Sequence, residues 1–325
     1  MEKQISELSA LGINIPRKFF NSYYKIYEIL GEGGFGTVYK VKNIDTMKTY
    51  AAKATDISEI FEIYFHLIIQ CNHPNLIRLH DYFIDKGTDR GNLYLIYDYV
   101  PDAYRLHKLQ DTAHRSPWYI NYLIKVLRDV SSALEYIHKN GILHLDIKPD
   151  NILASCSSNI ASLVNRINDD QITGYLIDYG LSCLKDSKSD KYDSYLCINR
   201  KIIRDEYIFY SPELLNTLIP MNMINEASDI YSLGVTIQLC MLNKSILPEI
   251  YFTRNIFHCR ADQLNSEYKV FKDKHGIINT IQNVLLDNKH VHAHELFDLS
   301  VKMVDYDPIK RPTINEIIDT LKSFQ

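Results

Sequence analysis

The hydrophobic pattern of this chain changes character once, near Val100–Asp102. Before that point, short runs of β-branched and aromatic residues alternate with polar ones, which is typical of strands, and one helical stripe interrupts them at Ser58–Cys71. After it, apolar residues recur at helical spacing, most clearly over Tyr119–Lys139, which ends at an Asn-Gly helix stop. The pattern predicts an α+β fold: a small antiparallel sheet with one helix, followed by a larger, mainly helical region.

Element bounds follow from the same patterns. The predicted strands are Tyr27–Leu30, Thr37–Val41, Thr49–Ala54, Leu76–Phe83 and Leu93–Tyr99, and the later helices are Asp229–Leu242, Ala293–Val304 and Thr313–Phe324. Residues 1–22 are predicted to be a polar extension with a short helix near Ile5–Leu11, and 23–325 the folded domain. Segment 155–173 is rich in Ser and Asn and lies between two strand-like runs, so it is predicted to be an inserted loop. Its apolar residues between 160 and 167 have the spacing of one short amphipathic helix.

Composition excludes several classes of protein. The chain has 325 residues, 46% of them hydrophobic, with 36 basic and 40 acidic side chains, so a disordered chain is excluded. A net charge of −4 gives no reason to expect nucleic-acid or membrane-surface binding. The six cysteines form no C-x-x-C pair, which argues against zinc and favours reduced thiols inside a cell. No apolar run is long enough for a bilayer. We therefore expect a soluble, cytoplasmic protein.

A glycine-rich segment, Gly31–Gly36, fits the pattern G-x-G-x-x-G. Glycines lack a Cβ atom and let backbone N–H groups approach phosphate oxygens, although they also mark ordinary hairpins. The residues that follow, Thr37–Val41, alternate as a strand, whereas the glycines of a dinucleotide-binding fold open a helix. The interpretation is a strand–loop–strand flap over phosphates, with a plain hairpin as the alternative.

Lys53 lies seventeen residues after Gly36, in the short apolar run Tyr50–Lys53. A lysine in an apolar strand either extends its ammonium to water or pairs with an anion. The glycine flap on the preceding hairpin favours a phosphate as that anion.

The segment His144–Asn151 places an acid, a base and an amide within a few residues. A second acid, Asp178, follows the strand-like run Tyr175–Ile177 and begins the tripeptide Asp-Tyr-Gly. Carboxylate and amide oxygens are the ligands that Mg²⁺ prefers, and one further carboxylate is left for a nucleophile. These residues predict a magnesium site beside a phosphoryl-transfer site.

In this order, the motifs resemble those of eukaryotic-type protein kinases, over about Tyr24 to Phe324. Ser211–Glu213 resembles the A-P-E motif that ends the activation segment, and Asp229–Gly234 resembles the start of a buried helix. Arg311 occupies the place of the arginine that pairs with the A-P-E glutamate. The resemblance implies a bilobal kinase fold, with an N-lobe over 23–100 and a C-lobe over 101–325.

The resemblance also implies a serine/threonine protein kinase, because Lys148 follows Asp146 by two residues. Asp146 would orient and deprotonate the substrate hydroxyl, and Lys148 would steady the transferred phosphoryl group. Asn151 and Asp178 would hold Mg²⁺. With Lys53, which would hold the α- and β-phosphates, these form the implied catalytic set.

The implied nucleotide-binding residues lie mostly in the first hundred positions. They are Leu30, Gly31, Glu32, Gly33, Gly34, Phe35, Gly36, Val38, Ala51, Lys53, Glu62, Tyr97, Asp98, Val100 and Leu153. Val38, Ala51 and Leu153 would enclose the adenine, Asp98–Val100 would be the hinge, and Tyr97 would be a bulky gatekeeper. The implied cofactors are ATP and Mg²⁺, and the implied partner is a protein with a Ser or Thr hydroxyl. No nucleic-acid or membrane partner is expected, and the oligomeric state stays open.

Several positions depart from the family pattern. Leu145 replaces the usual arginine, so the activation segment lacks its usual basic partner for a phosphate, and Tyr179 replaces Phe. Glu206 stands where serine/threonine kinases usually carry Thr. Counting back from His73 places the family's helix glutamate at Tyr64, so the acid that pairs with Lys53 is either Glu62, our choice, or Glu59, unless no pair forms.

Two other functions remain open. A pseudokinase that binds nucleotide without turnover is favoured by Leu145 and Glu206, but Lys53, Asp146, Asn151 and Asp178 are all retained. A small-molecule kinase of similar fold is disfavoured by Lys148, Arg311 and the Ser-Pro-Glu motif. Activity is predicted not to depend on phosphorylation of the activation segment. The Asn-, Ile-, Lys- and Tyr-rich composition suits a protist, a large DNA virus or an intracellular bacterium, and in the last two cases the protein would work in a host cytoplasm.

Overall fold

The computed structural model describes residues 20–33, 36–69, 72–85, 92–107, 119–156, 171–185, 209–215, 224–241 and 292–324. The chain forms two compact units. The first, which we call the sheet unit, comprises Met1–Pro101 and Ile177–Ser182. The second, the helical unit, comprises Asp102–Leu176 and Cys183–Gln325.

The sheet unit is built on five antiparallel strands in the order β1-β2-β3-β5-β4. They are β1 (Tyr24–Gly33), β2 (Gly36–Asn43), β3 (Thr49–Asp56), β4 (Leu79–Asp85) and β5 (Asn92–Asp98). A 3₁₀ turn, Ile57–Ile60, leads from β3 into helix α1 (Phe61–Ile69). The predicted helix Ser58–Cys71 is thus shorter, because its first turn is 3₁₀.

The two faces of this sheet bury different clusters. On one face, Leu93 and Leu95 pack with Ile57, Ile60 and Ile63 from the 3₁₀ turn and α1. On the other, Val41, Ala52 and Ile96 pack with Phe20 and Tyr24. Strand β5 therefore places alternate residues in separate cores, as the two-residue period of a strand requires.

The last residues of the predicted extension 1–22 pack against the sheet unit. Phe20 opens a 3₁₀ turn, Phe20–Ser22, and is only 3% exposed. Its ring stacks on Tyr94 at 4.3 Å between centroids and meets Phe83 edge-on. Residue 20 therefore belongs to the packed core of the sheet unit, because burying an aromatic ring stabilises the folded protein. The predicted helix near Ile5–Leu11 lies outside the described residues.

The helical unit centres on α2, Tyr119–Lys139, whose predicted bounds are confirmed. The other helices are α3 (Pro212–Leu215), α4 (Glu226–Met241), α5 (Ala293–Met303) and α6 (Ile314–Ser323). Three strands, β6 (Ala103–Arg105), β8 (Ile152–Cys156) and β9 (Ile172–Leu176), form one sheet, and β7 (Ile142–Leu143) pairs with β10 (Cys183–Leu184). Helix α4 is buried along nearly its whole length. The α+β prediction is confirmed.

The inserted segment is shorter than predicted. Ser155 pairs with Thr173 and Cys156 with Ile172, so both ends of the predicted loop belong to the ladder between β8 and β9. The alternating burial of these strands continues to their ends, which explains the extra pairs. The remaining insertion and its predicted helix lie outside the described residues. Among the helices described, none has both the length and the apolarity to cross a bilayer.

Candidate active site

Lys53 lies in β3, directly opposite Val38 of β2 and Leu95 of β5. Its Nζ atom is 2.8 Å from Glu62 Oε2 and 2.9 Å from Asp178 Oδ1. Lys53 and Glu62 are 8% and 2% exposed. The sequence left open which acid pairs with this lysine, and the structure shows Glu62, in the first turn of α1.

The pKa values of this pair move apart. Burial alone would lower the pKa of Lys53, but the carboxylates of Asp178 and Glu62 outweigh it and hold that pKa above its usual value. Burial alone would raise the pKa of Glu62, but the Lys53 ammonium and His66 hold it below its usual range. Both groups are therefore charged at neutral pH, and removing Lys53 would leave the buried Glu62 carboxylate without its main counter-charge.

The other oxygen of Glu62 is also bound. Tyr97 of β5 donates its hydroxyl to Glu62 Oε1 at 2.7 Å. His66, one turn further along α1, lies 3.9 Å from the same oxygen, and its ring meets those of Tyr97 and Tyr179. Sequence reasoning placed Tyr97 beside the nucleotide and missed this bond, because no local pattern links β5 to α1.

Asp178 begins the tripeptide Asp-Tyr-Gly near the start of the sheet unit's second segment, Ile177–Ser182. Its φ is +69°, a backbone conformation that only the surrounding contacts sustain in a residue other than glycine. Its Oδ1 accepts from Lys53 and from the Gly180 amide at 3.2 Å. Oδ2 makes none of these described bonds, so Asp178 offers one oxygen of the kind that Mg²⁺ prefers.

The glycine-rich segment joins β1 to β2, with Gly33 paired to Gly36. Gly36 has a φ of +125°, and a Cβ there would come 2.1 Å from the carbonyl oxygen of Ala54, so packing alone requires glycine. A Cβ on Gly33 would meet nothing within 4 Å. Packing therefore explains why residue 36 is glycine, but it does not explain why residue 33 is glycine. Gly34 and Phe35 lie outside the described residues.

The remaining predicted nucleotide residues of the sheet unit lie on β1, β2, β3 and the end of β5. Leu30, Gly31 and Glu32 are in β1 and Leu30 is 38% exposed, while Val38 and Ala51 are half-buried. Asp98 ends β5; its amide donates to the Arg78 carbonyl at 3.0 Å, and its carboxylate lies 2.6 Å from His80. Val100 lies two residues after β5, outside any helix or strand.

In the helical unit, Asp146 and Asn151 are joined directly. Asn151 Nδ2 donates to Asp146 Oδ2 at 2.6 Å and to the Asp146 carbonyl at 2.9 Å. Lys148 Nζ is 3.1 Å from Asp146 Oδ2, and all three residues are buried. Both described bonds of Asn151 use its nitrogen, so its oxygen suits a hard cation. Leu153 follows in β8, half-buried and paired with Tyr175 and Arg105.

One buried carboxylate holds the backbone of this loop. Asp229, near the start of α4 and fully buried, accepts the His144 amide at 2.9 Å and the Leu145 amide at 2.7 Å. His138 at the end of α2 lies 2.9 Å from the same carboxylate. Burial would raise the pKa of Asp229, but the hydrogen bond and charge of His138 lead the interactions that lower it.

Leu145 occupies an apolar cluster. It is 1% exposed, has a φ of +61°, and packs with Leu143, Cys183 and Ile224. Leu214 of α3 packs against the same cluster. The residue that replaces the family's arginine is therefore surrounded by apolar side chains.

The Ser-Pro-Glu motif is tied to the end of the chain by a two-point ion pair. Arg311 donates from both terminal nitrogens to Glu213, at 2.6 and 2.9 Å. The guanidinium also donates to the carbonyls of Asp305, Ala227 and Tyr306. Burial would raise the pKa of Glu213, but Arg311 lowers it below its ordinary value.

The predicted site residues thus form two groups. In the sheet unit, Lys53, Glu62, Tyr97 and Asp178 are in contact, and in the helical unit Asp146, Lys148 and Asn151 are. Among the described residues, no three His, Cys, Asp or Glu side chains cluster as a metal site. A cation would therefore need the amide oxygen of Asn151 or non-protein oxygens among its ligands.

Comparison with known proteins points to one family. The model of the protein kinase domain matches residues 24–321. A protein of Acanthamoeba polyphaga mimivirus assigned as a serine/threonine-protein kinase is 31% identical over 265 residues, which cover 80% of this chain and 78% of that protein. One from Dictyostelium discoideum, assigned likewise, is 24% identical and covers 91% of this chain and 57% of its own. An Aurora kinase of Eremothecium gossypii is 28% identical, with 65% and 51% covered.

A solved structure supports the same fold. The twitchin kinase region from C. elegans superposes with a TM-score of 0.60 at 20% identity, over 94% of this chain and 47% of that one. This likeness concerns the fold alone. The chain spans between about half and about four fifths of the length of the curated relatives named above.

Proposed function

The chain belongs to the protein kinase family, whose members are ATP-dependent, and we propose that it transfers the γ-phosphoryl group of ATP to Ser or Thr hydroxyls of proteins. The observation that carries this proposal is the buried Lys53–Glu62 pair with Asp178 on the same ammonium. Burying charged groups costs desolvation energy, so keeping Lys53 paired with Glu62 in the interior supports a functional role for this group.

In the sheet unit, Lys53 would bind the α- and β-phosphates, with Glu62 fixing the direction of its side chain. Packing does not require glycine at position 33, and the missing Cβ atom there leaves room for a phosphate near the backbone. Val38 and Ala51 would contact the adenine, and the backbone of Asp98–Val100 would bind its polar edge.

In the helical unit, Asp146 would accept the proton of the substrate hydroxyl, since its carboxylate is oriented by Asn151 and lies beside Lys148. Lys148 would stabilise the charge on the transferred group. Asn151 and Asp178 would hold Mg²⁺ through the oxygens left by their described bonds. When bound, Mg²⁺ neutralises charge on the phosphate oxygens.

We further propose that activity does not require a phosphate on the activation segment. The side chain of Leu145 can neither donate a hydrogen bond nor balance a charge, and its neighbours are apolar. The described ends of the segment are held by the protein's own residues: β10 pairs with β7, Lys185 binds Glu226, and Glu213 binds Arg311. Glu206, which could act in place of a phosphate, lies outside the described residues.

The test is radioactive phosphate transfer from ATP to generic basic proteins. Wild type should transfer phosphate only with Mg²⁺, and Asp178→Ala should abolish transfer, while Asp319→Ala on the exposed face of α6 should behave as wild type. ATP with Mg²⁺ should raise the melting temperature of wild type, because binding to the native state stabilises it by about 2.7 kcal/mol at a hundredfold excess over Kd. Binding without any transfer would instead support a pseudokinase.

The activation-segment proposal has its own test. Phosphatase-treated protein should keep most of its initial rate on a peptide substrate. A rate that collapses on treatment and returns on re-phosphorylation would overturn this part of the proposal and leave the transfer reaction intact.

A further inference from the structure

The hydroxyl of Tyr97 forms the second attachment of the Glu62 carboxylate. Oε2 binds Lys53 at 2.8 Å, and Oε1 accepts from Tyr97 at 2.7 Å. A carboxylate held at one oxygen is free to rotate, whereas bonds at both oxygens fix its plane. Both bonds involve a charged partner, and such bonds are shorter and stronger than neutral ones.

The position of Tyr97 in β5 makes this bond well defined. The residue lies opposite Ala51 of β3 and Leu79 of β4, in the interior of the sheet. Its ring packs against the apolar cluster that includes Ile60 and Ile63, on the face covered by α1. The hydroxyl is therefore aimed at α1 by the strand register and by packing, with little freedom to leave.

Two carboxylates contact the Lys53 ammonium. Its ammonium lies 2.8 Å from Glu62 and 2.9 Å from Asp178, so the two acids share one cation almost equally. If Glu62 turned away, the ammonium would pair more strongly with Asp178. Under the proposed function, Asp178 must keep an oxygen for Mg²⁺, so this shift would weaken both phosphate and metal binding.

We propose that Tyr97 is a positioning residue that, through Glu62, sets how Lys53 is shared between Glu62 and Asp178. This inference rests on the proposed function for its kinetic consequences, but its geometric part stands without turnover. It assigns to Tyr97 a task different from the nucleotide contact expected at its sequence position.

Tyr97→Phe is the informative variant, since it removes one oxygen and keeps the ring. Tyr50→Phe is its control: it makes the same change in β3, where the ring contacts Tyr24 and His80 in the cluster on the opposite face. Tyr97→Phe should lower kcat/KM for ATP about tenfold and raise the Mg²⁺ concentration for half-maximal rate several-fold, as expected for a hydrogen bond to a charged group. Tyr50→Phe should leave both values unchanged.

A double-mutant cycle tests whether Tyr97 acts through Glu62. In a Glu62→Gln background, which lacks the ion pair, Tyr97→Phe should change the rate less than about twofold, because residues in one network are not additive. A tenfold effect that persists in that background would overturn the proposal. So would a Tyr97→Phe variant that melts at a lower temperature but keeps wild-type kcat, KM and Mg²⁺ dependence, since that indicates a role in stability alone.

A spectroscopic measurement keeps the test independent of activity. In protein labelled with ¹⁵N-lysine, the buried Lys53 ammonium should give a resonance that disappears in Lys53→Met. Tyr97→Phe should shift or broaden that resonance, and Tyr50→Phe should not. An unchanged resonance in Tyr97→Phe would overturn the proposal, whereas a shifted resonance in a protein that transfers no phosphate would support Tyr97 and reject the proposed function.

Discussion

Lys53 in the sheet unit and Asp146 in the helical unit are both buried charges, but different contacts hold them. Lys53 is held by side chains from α1 and from the Asp178 segment, and Glu62 in turn by β5. Asp146 lies in a loop whose backbone is bound by Asp229, and its side chain is bound by Asn151 from the same loop. The position of Lys53 depends on attraction between opposite charges on distant segments. The position of Asp146 depends on one buried carboxylate and on hydrogen bonds within its own loop.

The largest effect should come from changing Asp146, because there chemistry and positioning can be separated. Asp146→Asn keeps the shape of the side chain but cannot accept a proton, so kcat should fall by at least about 10²-fold. ATP affinity, measured by calorimetry, should stay close to wild type, since Lys53 is in the other group. Loss of nucleotide binding in Asp146→Asn would mean that the residues around Asp146 and those around Lys53 do not act independently, which would contradict the contrast drawn above.

The anchor of the helical unit should dominate its stability. Asp229→Ala leaves the amides of His144 and Leu145 and the ring of His138 without their buried partner. The free energy of unfolding, measured in urea, should fall by about 3–5 kcal/mol. Asp319→Ala, a surface change on α6, should stay within about 0.5 kcal/mol. A small loss for Asp229→Ala would show that the loop is held mainly by its own short-range bonds.

A smaller effect should come from Glu213, whose ionisation makes the free energy of unfolding depend on pH. Its pKa is lowered in the folded protein, so the unfolded chain binds protons more readily as pH falls. The stabilisation is present above about pH 4.5 and is lost as pH falls through the folded-state pKa. Between pH 6 and pH 3.5, Glu213→Gln should therefore lose less unfolding free energy than wild type. Asp319→Asn serves as the control, and a loss in Glu213→Gln equal to that of wild type would contradict this account.

The smallest effect should come from the insertion. Replacing residues 157–170 with a short Gly/Ser turn keeps every described pair between β8 and β9. Because the entropy of loop closure depends weakly on length, the melting temperature should change by only about 2 °C. A much larger fall would show that the insertion stabilises the helical unit.

The same contrast explains what could be predicted from the sequence. The residues around Asp146 are close in the chain, so their meeting in space needs only a turn. The partner of Lys53 was harder to assign, because counting back from His73 gives a position in the chain and not the side of α1 that faces β3. The count reached Tyr64, whereas the residue whose carboxylate contacts Lys53 is Glu62.

Two contacts between distant segments were not predicted from the sequence. The bond from Tyr97 to Glu62 and the bond from His138 to Asp229 join residues 35 and 91 positions apart. The burial of Phe20 was not predicted for another reason: the adjacent pair Phe19 and Phe20 has neither strand nor helix periodicity, and only the packing against Tyr94 and Phe83 shows where Phe20 lies.

The burial of Leu145 has a consequence for how this protein can evolve. An arginine at this position would enter among Leu143, Cys183 and Ile224, where a charge without a partner is costly. A change from leucine to arginine would therefore need accompanying changes in those neighbours, and making one of them smaller first would leave a cavity beside Leu145. Single substitutions toward arginine should therefore lower the stability of the protein, so the apolar cluster favours keeping leucine at this position.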